Sequence, residues 1–71
     1  MKYLITEKPD SMIVFIDLNN LRKISEVADF IDERFPGVVL EVIHNRMAKQ
    51  GSIILKKENH EFMDKINQLL T

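Results

Sequence analysis

Ser11-Met12-Ile13-Val14-Phe15-Ile16-Asp17 decides the fold, because it holds the longest unbroken apolar run in the chain, five residues. Ile, Val and Phe suit a pleated surface better than a helix, so the run reads as a β-strand. Side chains alternate along a strand, which sends Met12, Val14 and Ile16 to one face and Ile13 and Phe15 to the other. A strand that is apolar on both faces belongs inside a sheet.

On its N-terminal side, residues 2–6 alternate, with Tyr3 and Ile5 against Lys2, Leu4 and Thr6. Glu7-Lys8-Pro9-Asp10 follows, and Pro-Asp is turn chemistry because proline pre-sets φ. The pattern predicts a hairpin. On the C-terminal side, Leu21, Ile24, Val27, Ala28, Ile31 and Phe35 fall at helical spacing, with Glu26, Asp29 and Glu33 as an acidic stripe opposite. Asn19 or Asn20 is the expected cap, with Ser25 as the rival. Phe35-Pro36-Gly37 ends the helix, since a residue before proline avoids the α region and glycine suits the reversal.

Residues 38–43 and 51–56 are two further β-rich runs, joined by a loop over 44–50. Asn59 then opens a second helix, whose Phe62, Met63, Ile66, Leu69 and Leu70 share one arc. The order β-β-α-β-β-α predicts an α+β fold, one domain over residues 1–71. The expected form is a four-stranded antiparallel sheet with both helices on one face, a permuted ferredoxin-like two-layer sandwich. The first strand pairs on the far side of residues 11–17, and 51–56 is inserted between those residues and 38–43.

Two helices cover one sheet face. Met12, Val14, Ile16, Val38, Leu40 and Val42 are expected beneath them. Ile13, Phe15, Val39, Ile43 and either Ile54 or the Ile53–Leu55 pair are left facing outward, which predicts an interface. A chain of 71 residues buries too little surface to be amply stable alone, and with no cysteine it has no disulfide to help. Oligomerisation is the remaining common device.

Ten Lys and Arg against eleven Asp and Glu give a net charge of −1, without the basic excess of a dedicated nucleic-acid binder. No run approaches a membrane span or a signal-peptide core, so the expected location is the cytoplasm, with no membrane partner. The two histidines, His44 and His60, lack metal-ligand spacing, and the two glycines, Gly37 and Gly51, rule out a phosphate-cradling loop. Asp17, at a strand end, is the one carboxylate placed for chemistry, and capping the turn behind it is the plainer role. Phe30 lies off its helix's apolar stripe, placed either to pack between the helices or to anchor a partner.

One cluster remains. Arg22, Lys23, His44, Arg46 and Lys49 are expected at the same end of the sheet, among Asn19, Asn20, Asn45 and Gln50. Two cations in a first helical turn oppose the helix dipole, which can mark an anion site. No aromatic accompanies them for base stacking. No motif identifies a family, a catalytic constellation or a cofactor. The composite expectation is a non-enzymatic module that homodimerises through its sheet and binds another protein. The alternative is nucleic-acid or phosphorylated-ligand binding at the basic end.

Overall fold

Residues 13–16 of the apolar run form the body of an inner strand. The computed structural model describes residues 3–59 and 61–70, arranged as β1 (Tyr3–Lys8), β2 (Ile13–Leu18), α1 (Ile24–Arg34), β3 (Val39–Asn45), β4 (Gln50–Lys56) and α2 (Phe62–Leu70). The four strands make one sheet in the order β1-β2-β4-β3, with every neighbouring pair antiparallel. β2 and β4 are the inner strands. Helix α1 connects β2 to β3 across the intervening β4.

Both helices pack on one sheet face. Val14, Ile16 and Leu18 of β2, Ile53 and Leu55 of β4, and Val38 meet Ile24, Val27, Ala28 and Ile31 of α1 and Phe62 and Ile66 of α2 in a single buried cluster. Phe35 and Phe62 meet edge to face with ring centroids 5.4 Å apart, tying the end of α1 to the start of α2.

Local chemistry sets the ends of these elements. Asn20 is extended, and its Oδ1 accepts a hydrogen bond from the Arg22 amide at 3.1 Å. It caps a 3-10 turn at Leu21–Lys23 that leads into α1. Ser25 does not cap; it is the second residue of α1. At the other end the Phe35 amide donates to the Ile31 carbonyl at 2.8 Å, and Gly37 reverses the chain at φ +82°. Asn59 Oδ1 accepts from the Glu61 amide at 3.0 Å just ahead of α2.

Four placements correct the sequence expectations. Met12 is not a core residue. β1 continues to Lys8, a 3-10 turn occupies Pro9–Ser11, and Met12 closes the hairpin in the left-handed region, φ 54°, with 46% of its surface exposed. Leu40 is also out of the core, 53% exposed, because the β3–β4 register shifts between Val39 and Glu41. That bulge inserts one residue and breaks the alternation. For the same reason Val39 faces the helices instead of the outer side: it pairs with buried Leu55 and packs against the core. Finally, β3 runs on to Asn45, so His44 lies in a strand opposite Gly51, and the loop shrinks to residues 46–49. Lys2, expected in the first strand, lies outside the described residues.

Candidate functional site

Alternation along the strands leaves a second sheet face with no helix on it. Across the strands its residues fall into three rows. One is Lys8–Ile13–Lys56, the next Thr6–Phe15–Ile54–Glu41, and the third Leu4–Asp17–Ser52–Ile43. Of the expected outer residues, Ile13, Phe15, Ile43 and Ile54 lie here together, and Val39 does not. Between the two alternatives for β4, the outward side chain is Ile54, with Ile53 and Leu55 in the core. Ile13, Phe15 and Ile54 are half-buried, while Ile43 is 41% and Leu4 63% exposed. Lys8 reaches over this face, its Nζ 5.0 Å from the Phe15 ring centre. Residues 7–10 read as a turn in the sequence, which hides the Lys8 contact.

Asp17 closes one end of the face. Its Oδ1 accepts the Ser52 hydroxyl at 2.5 Å across the β2–β4 pair. Beside it, Gln50 Nε2 donates to Asn19 Oδ1 at 2.9 Å. Tyr3, Leu4, Asp17, Leu18, Asn19 and Gln50 surround an open depression there. Only the strand register could reveal the Asp17–Ser52 bond.

The basic cluster is brought together in part. Arg22 and Lys49 line one shallow depression with Asn19, Asn20 and Leu21. Lys49 adopts φ 54° at the end of the 46–49 turn, in which the Ala48 amide donates to Asn45 Oδ1 at 3.1 Å. Lys23 is turned away into an ion pair with Glu26 at 3.1 Å. Arg46 is exposed in the turn, and His44 is exposed on edge strand β3.

Between the helices, Phe30 lines a groove with Val27, Leu69, Leu70 and Glu26. It is 38% exposed and carries the Arg34 guanidinium over its ring at 5.0 Å. Among the described residues no three His, Cys, Asp or Glu side chains are grouped to hold a metal ion; His60 lies outside them. Among the same residues no helix is long and apolar enough to cross a membrane.

No protein-family model matches this chain, and no curated protein or solved structure does either. The outer sheet face and the basic end therefore stand on their geometry alone.

Proposed function

We propose that this protein is a small, non-enzymatic binding module that pairs with a second copy of itself through the outer face of its sheet and acts by engaging another protein. The observation that carries the reading is the uncovered face, where Ile13, Phe15, Ile54 and Ile43 cluster beside Leu4 while both helices occupy the opposite side. Burying a side chain of this size is worth roughly 1.5–3 kcal/mol, so several from each copy offset the cost of association. The topology belongs to the same reading: a ferredoxin-like sandwich permuted so that its usual last strand comes first.

Light scattering across a concentration series tests the pairing. The unmodified chain is expected to be dimeric at tens of micromolar, with a melting temperature that rises with concentration. Phe15→Lys should give a monomer without that dependence. A parent that remains monomeric in this range defeats the proposal.

The depression shared by Arg22 and Lys49 favours a second reading, binding of a phosphorylated ligand or nucleic acid. Arg22→Ala with Lys49→Gly should then weaken oligonucleotide binding and flatten its salt dependence by about one unit per lost phosphate contact. No affinity of the parent for any polyanion at low salt removes this reading.

A further inference from the structure

Charge is distributed unevenly along the outer face, and the asymmetry bears on how two copies meet. Lys8 and Lys56 flank Ile13 in the row at one end. Asp17 stands four residues away along β2, about 13 Å at roughly 3.3 Å per residue, in the row at the other end. The Thr6–Phe15–Ile54–Glu41 row lies between them.

Two identical faces with nearly aligned strands can be related by a two-fold axis in two ways. An axis along the strands brings both lysine rows to one end and both Asp17 carboxylates to the other. An axis across the strands, through the Phe15–Ile54 row, lays each lysine row over the partner's Asp17 row. Only the second arrangement sets the lysine rows against the partner's Asp17; its axis also brings the two exposed Glu41 carboxylates toward each other at the β3 edge of the face.

We propose, resting on the sheet-face reading above, that a second copy docks in this second orientation, with Phe15 and Ile54 at the axis and Asp17 of each copy between the partner's Lys8 and the partner's Lys56. The lateral spacing fits. Each lysine lies one strand, about 4.8 Å, to either side of Ile13, so a carboxylate opposite Ile13 has an ammonium group on both flanks. Lys8 can change partners: its head rests over the Phe15 ring, a contact that an arriving sheet displaces, and its long stem lets the head swing to the rim. The bond from Ser52 holds the Asp17 carboxylate on the outer side of the sheet.

Charge exchange tests the orientation. Asp17→Lys and the double variant Lys8→Glu/Lys56→Glu are followed by sedimentation velocity, each alone and mixed in equal amounts, after circular dichroism has confirmed the parent fold. All three positions are exposed. Each variant alone should self-associate about tenfold or more weakly, on the scale of close interfacial charge pairs, and the mixture should form a heterodimer tighter than either homodimer. If each variant instead self-associates as tightly as the parent, while the double variant pairs with the unmodified chain more tightly than the parent pairs with itself, the lysine ends meet, and the orientation is overturned while the sheet-face dimer survives. A parent that stays monomeric overturns both.

Carbodiimide coupling of the unmodified chain needs no substitution. In a mixture of isotopically labelled and unlabelled copies, Asp17 should couple to Lys8 or Lys56 of the opposite label. A dimer that yields no such mixed link contradicts the orientation.

Discussion

Ile24, the first residue of α1, lies directly over the backbone of Gly51 in the inner strand β4. A Cβ at position 51 would run into the Ile24 side chain and stand 3.0 Å from the Ile43 carbonyl oxygen. Glycine within a strand here marks a close approach: it lets the start of the helix settle on the sheet. Ile24 is fully buried as a result.

Gly51→Ala should therefore destabilise the fold by about 1–3 kcal/mol, the usual range for overpacking a core. In an Ile24→Ala background the same change should be nearly harmless, giving a coupling of about 0.5–3 kcal/mol in a double-mutant cycle. Urea denaturation of the four proteins measures it. Additive effects would mean that the two residues do not compete for space.

Met12 offers the opposite test. As a residue in the left-handed region and 46% exposed, it should accept Met12→Gly or Met12→Asn without loss, or with a gain of up to about 1 kcal/mol from relieved backbone strain. A core methionine would instead lose about 2–5 kcal/mol on truncation. The sign of the shift in denaturation midpoint separates the two.

Ile66 lies fully buried on α2. Ile66→Ala should cost about 2–5 kcal/mol, from lost transfer energy and the cavity left behind. An unchanged midpoint at fixed protein concentration would show that α2 contributes little to the core.

Glu7 and Lys57 form an ion pair between β1 and the segment after β4, with side chains 31% and 13% exposed. The Lys57 amide also donates to the Met12 carbonyl at 2.8 Å, so the pair lies beside the β1–β2 hairpin turn. Lys57→Met should destabilise by about 1–3 kcal/mol, between the values for surface and buried pairs, because it strands a half-buried carboxylate. Adding Glu7→Gln should recover part of the loss. Thermal melts of the three proteins decide it, and no recovery would assign the effect to packing of the lysine stem.

Local sequence pattern alone determined much of this protein. The apolar run of residues 12–16 has no polar face, so its strand had to lie inside the sheet. The 3.6-residue spacing of Ile24, Val27, Ala28 and Ile31 placed the inner side of α1, and Phe35-Pro36-Gly37 ended that helix through backbone sterics alone. The outward direction of Ile13, Phe15 and Ile43 followed from the two-residue period of a strand.

Tertiary structure decided the rest, wherever pairing overrides local preference. Val38-Val39-Leu40 has no alternation of its own, so only its pairing with β4 could place the bulge that packs Val39, half-buried, against the core and exposes Leu40. Met12 reads as an apolar strand residue, yet the β1–β2 register needs a chain reversal there. Of the five basic residues expected at one end, Arg22 and Lys49 alone line the same depression, since Glu26 engages Lys23 and the longer β3 carries His44. Asp17 and Ser52 are far apart in the chain and meet through register, which no local pattern encodes. Periodicity within a segment reports which side of that segment is apolar; which residue stands opposite it is set by the hydrogen-bond ladder between segments.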